Sequence, residues 1–158
     1  MILILKEFTK AHAKEICTWK YAGEYAIYNY PTWNIVCKEK WAITIEEKRK
    51  KEMFSLVDDY DNLCGYIRLQ NKQESILMGV GLKPNLCGQG LGNILMKIVK
   101  NQCKKVYPNK LIVLEVRAFN ERAVKCYKKA GFKLKETYKK DTPLGEDEFI
   151  RMEYMNID

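Results

Sequence analysis

The sequence predicts one α/β domain of the α+β type over residues 1–158, with six to seven strands and about four helices. Three observations predict it. Short apolar stretches of strand-like pattern recur along the chain, amphipathic helical patterns separate several of them, and a glycine-rich turn joins a strand to the clearest helix. No repeat, low-complexity tract or linker divides the chain, and its length suits a single domain.

The first third of the chain mixes strand and helix patterns. Residues 2–8 favour a strand, and Thr9 is suited to cap the next helix because its hydroxyl can accept a hydrogen bond from a first-turn N–H group. An aromatic stretch follows over residues 19–33, in which Pro31 begins a second helical region. A short charged helix is expected over residues 44–50.

The middle of the chain predicts three strands. Residues 53–57 and 63–69 flank a polar turn whose composition favours a hairpin. The third strand, residues 75–82, contains Gly79 and Gly81. Glycine inside a strand often marks a bulge or a close approach of another group to the backbone.

The last part begins with the clearest amphipathic pattern, in which apolar residues recur at helical spacing over residues 91–99. This helix is expected to end before Pro108. The further elements are expected to be a strand over 111–116, a helix from Asn120 to Gly131, a strand over 132–138, a loop over 139–147 and a strand over 148–155.

Composition limits the classes of function. Lysine plus arginine number 28 and aspartate plus glutamate 20, so the formal net charge of +8 favours anionic partners such as phosphorylated cofactors. Six cysteines form no C-x-x-C pair or zinc framework, so we expect no metal, reduced thiols and a cytoplasmic location. No apolar run approaches the roughly 20 residues of a membrane helix, so no membrane partner is expected.

Two polar features are expected to be surface features only. The densest basic run, residues 48–51, follows two glutamates and is typical of an exposed helix end. The only histidine, His12, is expected on a helix surface. The basic residues form no stripe with interleaved aromatics, so we expect no nucleic-acid partner.

The glycine-rich turn of residues 86–92 has the features of an anion site. The first N–H groups of a helix lack partners within it, and the helix N-terminus carries roughly half a positive charge. Glycines at 88, 90 and 92 let a phosphate approach the backbone without meeting a Cβ atom, which favours a pyrophosphate.

Other glycine motifs fit this turn less well. A nucleotide-binding loop of the G-x-x-x-x-G-K-S/T type is excluded because Asn93 follows Gly92. A dinucleotide fold requires G-x-G-x-x-G, whereas this turn has G-x-G-x-G. A plain turn without a ligand is the remaining alternative.

Three segments together resemble the GNAT superfamily of N-acetyltransferases. Residues 80–92 resemble its pantetheine strand and pyrophosphate loop, residues 114–120 the next strand and its exit, and residues 120–132 its second cofactor helix. The motifs are most similar to those of ribosomal-protein N-terminal alanine acetyltransferases. One position departs: Cys87 stands where the family usually has Arg or Gln. The resemblance implies a central mixed, mostly antiparallel sheet of six to seven strands flanked by about four helices.

The resemblance also implies the co-substrate. Acetyl-CoA is expected to lay its pantetheine arm along the bulged strand and its pyrophosphate at the turn. Its thioester is expected in the opening toward strand 111–117, where backbone N–H groups could polarise the carbonyl while the amine attacks directly. The residues expected to bind coenzyme A are Val80, Gly81, Leu82, Cys87, Gly88, Gln89, Gly90, Leu91, Gly92, Asn93, Asn120, Ala123 and Tyr127.

Two side chains are expected to carry the chemistry. Tyr127 matches the family's proton donor to the leaving thiolate, and the alternative is a core residue beside Val124 and Phe132. Glu115 matches the glutamate that acts as general base, and its apolar neighbours are expected to raise its pKa. The alternative for Glu115 is an ion pair with Arg117.

The acceptor is expected to be an amine of a small molecule or of a protein or peptide N-terminus, and the chain a monomer or homodimer. In related proteins the acceptor side is flanked by segments that correspond here to Tyr25, Tyr28, Tyr30, Trp33 and residues 139–147, although such aromatic residues are also common in cores. The alternative function is a non-catalytic coenzyme-A-binding or sensor module. A nucleic-acid-binding protein ranks last.

Overall fold

The computed structural model describes residues 1–156 and forms seven strands within them. They are β1 (Ile4–Glu7), β2 (Met53–Val57), β3 (Leu63–Asn71), β4 (Ser75–Leu82), β5 (Leu111–Arg117), β6 (Lys133–Thr142) and β7 (Gly145–Met155). The same residues form five α-helices: α1 (Lys10–Ile16), α2 (Trp33–Lys38), α3 (Glu46–Glu52), α4 (Leu91–Val106) and α5 (Glu121–Lys129). Short 3-10 helices cover Gly23–Tyr28, Ala42–Thr44 and Pro84–Leu86.

The strands form one sheet in the order β1-β2-β3-β4-β5-β7-β6. β4 pairs with β5 in parallel, from Ser75 opposite Leu111 to Leu77 opposite Val113. The pairs β1–β2, β2–β3, β5–β7 and β7–β6 are antiparallel. The sheet is therefore mixed and mostly antiparallel, and the predicted fold class is confirmed.

The chain divides into two compact units. The first contains Met1–Arg68 and Val80–Gln89, and the second contains Leu69–Gly79 and the described residues from Gly90 onward. A single N-acetyltransferase domain over the whole chain therefore stays a prediction. No helix within residues 1–156 has the length and apolar character needed to cross a membrane.

The first unit is built around an aromatic and aliphatic core. The buried residues that pack together include Phe8, Ala13, Ile16, Trp19, Val36, Ile43, Met53 and Val57. The predicted cap of α1 is confirmed, since Thr9 Oγ1 accepts a hydrogen bond from His12 N at 3.1 Å. The His12 side chain completes the cap, because its Nδ1 accepts from Thr9 N at 3.1 Å.

The second unit buries one face of α4, namely Leu91, Leu95, Met96, Val99 and Cys103. The alternation of β5 buries Ile112, Leu114 and Val116 on one side of the strand. Glu115 and Arg117 point to the opposite face of the sheet, a face to which β7 and β6 also contribute side chains. Because of this alternation, Glu115 and Arg117 can contact only charged side chains on their own face of the sheet.

The expected loop over residues 139–147 was wrong. β6 and β7 pair continuously down to Thr142 opposite Gly145, which leaves a turn of two residues. The turn is stable because Thr142 Oγ1 donates to Gly145 O at 2.7 Å and accepts from Leu144 N at 3.1 Å. Gly145 adopts a φ of +104°, which favours glycine.

The expected fully exposed basic run was also wrong at one position. Arg49 is buried, and its Nη1 donates to Ile43 O at 2.9 Å. Lys48, Lys50 and Lys51 are exposed, as expected. A run of four basic residues on a helix turns at least one of them toward the core because the helix repeats every 3.6 residues.

Candidate functional site

Some of the predicted site residues belong to the first unit and the others to the second. The first unit contains Val80, Gly81, Leu82, Cys87, Gly88 and Gln89, and the second contains Gly90, Leu91, Gly92, Asn93, Glu115, Asn120, Ala123 and Tyr127.

In the first unit, the end of β4 is held by side-chain and backbone hydrogen bonds. Tyr21 Oη donates to Leu82 O at 2.6 Å, and Lys83 N donates to Cys64 O at 2.8 Å. Burial, followed by the nearby Cys87, raises the pKa of Tyr21 above its ordinary value, so the phenol keeps its proton for this bond. Sequence reasoning missed Tyr21 because it lies far from β4 along the chain.

Gly81 marks a close approach, as its position inside a strand predicted. A Cβ atom at Gly81 would collide with the ring of Tyr66. A Cβ atom at Gly65 would lie only 2.7 Å from Gly81 O, so β3 and β4 also approach closely here. Gly81 lets the Tyr66 ring lie directly on the backbone of β4, and Gly65 lets β3 and β4 approach each other closely.

The aromatic stretch of the first unit clusters around Tyr66. The Tyr66 ring centre lies 6.2 Å from that of Trp19 and 6.5 Å from that of Tyr30, and Tyr30 also meets Trp41 at 5.7 Å. Burial raises the pKa of Tyr30 above its ordinary value. Trp33 is partly buried against the same core, so these rings have a packing role whatever else they contact.

Cys87 directs its thiol back toward β4. Its Sγ lies 3.6 Å from Lys83 O and 3.8 Å from Leu82 O, within range of weak hydrogen bonds. Gln89 likewise bonds locally, since its Nε2 donates to Asn85 O at 2.8 Å. Both side chains therefore stabilise the backbone that precedes the turn.

In the second unit, the start of α4 fits an anion. Gly90 is the N-cap residue in the left-handed conformation, with φ of +79°. An added Cβ would meet nothing within 4 Å, so the space beside Gly90 is open. The helix has 16 residues and no acidic residue in its first turn. Its N–H groups and dipole can therefore act on a phosphate.

Gly92 has a packing role that sequence reasoning missed. A Cβ atom there would lie 2.8 Å from Cys126 Sγ on α5. The absence of a side chain at Gly92 is what allows α4 and α5 to come this close. No pattern in the sequence pairs these two positions, so the prediction assigned Gly92 to phosphate approach alone.

The start of α5 follows the prediction. Asn120 Oδ1 accepts a hydrogen bond from Ala123 N at 3.2 Å, so Asn120 is the N-cap residue. Further along the helix, the Tyr127 ring packs against Phe132, with ring centres 6.2 Å apart and planes inclined at 58°. Phe132 N also donates to Tyr127 O at 3.0 Å. Tyr127 is half-buried, so packing fixes one side of its ring.

Glu115 departs from both expectations. Its partners are Tyr138, whose Oη donates to Oε2, and Lys140, whose Nζ lies 3.2 Å from the same oxygen. The predicted ion pair with Arg117 is wrong, because Arg117 Nη1 pairs with Asp147 Oδ2 at 2.6 Å. Asp147 lies on the hairpin that was expected to be a loop.

The expected rise in the pKa of Glu115 is also wrong. Partial burial alone would raise it, but the hydrogen bonds from Tyr138 and Lys140 and the charges of Lys140 and Arg151 outweigh the burial. The pKa of Glu115 therefore lies below its ordinary value. The carboxylate is ionised at neutral pH.

Phe149 packs against several of these side chains. Tyr138 stacks on its ring with centres 6.4 Å apart, Lys140 Nζ lies 4.4 Å from the ring centre, and the Arg117 guanidinium lies 5.0 Å from it. Sequence reasoning missed Tyr138, Lys140 and Phe149. The alternation of Glu136, Tyr138 and Lys140 on one face was the available signal, since a strand repeats every two residues.

Among residues 1–156, no cluster of three or more His, Cys, Asp or Glu side chains is arranged to hold a metal ion. The six cysteines are free thiols, and burial raises the pKa of Cys103 to about 11.

Comparison with known proteins gives a consistent result. The sequence model described as an acetyltransferase (GNAT) domain matches residues 19–155. No curated protein sequence matches the chain. Mutant forms of the spermidine/spermine N-acetyltransferase SpeG from Vibrio cholerae are 17% identical over 98% of this chain and 95% of that one, with a TM-score of 0.75. The ribosomal-protein-S18-alanine N-acetyltransferase from Escherichia coli is 17% identical over 99% and 96%, with a TM-score of 0.70.

A dodecameric structure of the Vibrio cholerae spermidine N-acetyltransferase is 16% identical over 98% of this chain and 94% of that one, with a TM-score of 0.73. At such low identities the structural likeness establishes the fold alone.

Proposed function

The chain belongs to the GNAT acetyltransferase family, and from that membership we propose that it transfers an acetyl group from acetyl-CoA to a primary amine by direct attack. The start of α4 is the observation that carries the proposal. A long helix there begins on a left-handed glycine beside open space, with no acidic residue in its first turn. This arrangement suits a pyrophosphate group.

We propose that coenzyme A is held by the residues that the resemblance to the family indicates. The N–H groups of Gly90, Leu91, Gly92 and Asn93 would bind phosphate, and the backbone of Val80, Gly81 and Leu82 would bind the pantetheine arm. Cys87, Gly88 and Gln89 would shape the turn, and Asn120 and Ala123 would contact the cofactor from the start of α5. Bound acetyl-CoA supplies the acetyl thioester.

Tyr127 is proposed as the general acid. A phenol has a pKa near 10 and a thiol one near 8.5, so a positioned tyrosine can donate or share a proton with a departing sulfur. Contact with Phe132 supports this role because packing on one side helps to hold the ring in place. The packing and the proton donation involve different parts of the side chain, so both can hold.

Glu115 is proposed to receive the amine's proton and to attract the amine as an ammonium ion. Because its pKa lies below the ordinary value, it is a weak base and acts mainly through its charge. An α-amine has a pKa of about 8, so about a tenth of it is already unprotonated at pH 7. A weak base suffices for such an acceptor.

The acceptor is proposed to be a small-molecule amine or a peptide N-terminus. The structural neighbours are described as acting on spermidine in one case and on the alanine of ribosomal protein S18 in another. We propose a monomer or homodimer for this chain, whereas one of those neighbours is described as a dodecamer.

Acetyl transfer to a panel of amines tests the proposal: spermidine, an alanine-initiated peptide, an aminoglycoside and free amino acids. Thiol release is followed with a chromogenic disulfide, and the acetylated product is identified by mass. A reaction without amine is the necessary blank, since exposed Cys37 will also react with the disulfide. Coenzyme A binding without turnover of any amine would overturn the enzymatic proposal and favour a non-catalytic binding or sensor module.

A further inference from the structure

Two hydrogen-bond donors on β6 converge on Glu115, which the proposed function places at the acceptor. Tyr138 Oη and Lys140 Nζ both bind Oε2 of the carboxylate. Within residues 1–156, the other oxygen, Oε1, has no hydrogen-bond partner, and the Glu115 side chain is 30% exposed. Both donors thus hold the same oxygen, on a side chain that remains partly exposed.

Two arginines on this face of the sheet have carboxylate partners of their own, and the charge of Arg151 also lowers the pKa of Glu115. Arg117 shares the strand face with Glu115 but is bound to Asp147. Arg151 lies opposite Glu115 in the register of β5 and β7, and its Nε is bound to Glu153 at 3.0 Å. Glu136 lies next in the register on β6, where its charge acts on Tyr138.

Both donors are held in place by Phe149. The Tyr138 ring stacks on it, and Lys140 Nζ lies 4.4 Å from its centre. Phe149 is itself buried, which gives the two longer side chains a fixed surface to pack on. A Lys–Glu pair on an open surface lacks such support and contributes little.

We propose that Tyr138 and Lys140 are positioning residues for the acceptor amine, which hold Glu115 by Oε2 and direct Oε1 toward the incoming ammonium group. This inference rests on the proposed function. The two residues act through Glu115 and do not themselves exchange a proton with the amine.

The same contacts favour the ionised form of the Glu115 carboxylate. The hydrogen bonds of Tyr138 and Lys140 to Glu115 lower its pKa against the effect of burial. Removal of either donor should therefore raise the pKa of Glu115. This electrostatic effect can be measured without any turnover.

Steady-state kinetics of Tyr138→Phe and Lys140→Met test the proposal, with spermidine and an alanine-initiated peptide as acceptors. We expect each variant to raise the KM for the better acceptor about threefold to tenfold, since one hydrogen bond to a partly exposed group is lost. The KM for acetyl-CoA should stay unchanged. Lys140→Arg should restore much of the loss because it keeps a cation at the same place.

Two matched controls are available. Lys48→Met removes an exposed lysine of α3, and Tyr60→Phe removes the phenol of Tyr60, which is 86% exposed. Both should behave as wild type. Acceptor KM values of Tyr138→Phe and Lys140→Met no higher than those of the controls would overturn the inference while leaving the enzymatic activity established.

A second measurement separates this inference from the proposed function. The carboxyl carbon resonance of Glu115, assigned with Glu115→Gln, gives its pKa by NMR titration in each variant. A higher pKa in Tyr138→Phe and Lys140→Met supports the hydrogen bonds even if neither amine is turned over, in which case only the function fails. An unchanged pKa in both variants would show that the contacts do not exist in solution.

Discussion

Replacement of Gly92 by alanine separates two roles for the third glycine of the turn. The added Cβ would lie 2.8 Å from Cys126 Sγ, so the thiol or one of the two helices must move. Overpacking of this kind costs about 1–3 kcal/mol. The preference of helices for alanine over glycine offsets up to about 1 kcal/mol. We therefore expect a net loss of about 1 kcal/mol.

The assay is thermal and urea unfolding of a double-mutant cycle with Cys126→Ala. For a protein of this size, about 1 kcal/mol lowers Tm by about 2–4 °C. In the Cys126→Ala background the nearest remaining atom is the Cβ of residue 126, at 4.0 Å, which is an ordinary contact. Gly92→Ala should then be neutral or slightly stabilising.

The KM for acetyl-CoA is then measured in wild type, in Gly92→Ala, in Cys126→Ala and in the double variant. If Gly92 serves helix packing, the double variant recovers both stability and cofactor affinity. A raised KM that persists in the stable double variant would restore the original interpretation, in which Gly92 lets phosphate approach the backbone. An identical loss of stability in both backgrounds would refute the packing argument, because the clash with Sγ would then not be its cause.

Tyr127→Phe should lower kcat at least tenfold, because the phenolic proton donor is lost while the ring that packs against Phe132 is kept, as steady-state kinetics can measure. Iodoacetamide at pH 8 should modify exposed Cys37 and spare Cys103, whose pKa burial raises to about 11, as peptide mapping can show. The hydrogen bond from Arg117 lowers the pKa of Asp147. The stability that this ion pair contributes is therefore present above about pH 4 and is lost on acidification. The Tm difference between wild type and Asp147→Asn should accordingly shrink from pH 7 to pH 3.

The sequence predicted the elements whose pattern is local. The strand over Ser75–Leu82 and the start of α4 at Leu91 match the prediction because alternation, glycines and helical spacing all lie within a few residues. The hairpin of β6 and β7 was mistaken for a loop since Pro143 and Gly145 favour turns. Pairing with β7 extends β6 to Thr142, and this pairing is not visible within either segment.

In the candidate site, too, contacts between residues close in the sequence could be predicted, and contacts between distant residues could not. Asn120 could be identified as a cap because its partner Ala123 lies on the next turn of the helix. The partners of Glu115 lie 23 and 25 residues away, on a strand separated from it by β7. The apolar neighbours of Glu115 in the sequence predicted a raised pKa, but donors from a distant strand reversed its direction. Motifs identified the residues, and only the fold shows their electrostatic environment.

The lowered pKa of Glu115 also bears on the choice of acceptor. At pH 7 an amine of pKa about 8 is about one-tenth unprotonated, whereas an alkylamine of pKa about 10.4 is unprotonated in less than about one molecule in a thousand. A nearby carboxylate stabilises the ammonium form and raises the amine's pKa further. A weak base therefore favours an α-amine. Should spermidine be the better acceptor, its proton must leave by another route, and the role of Glu115 would then be to bind the cation.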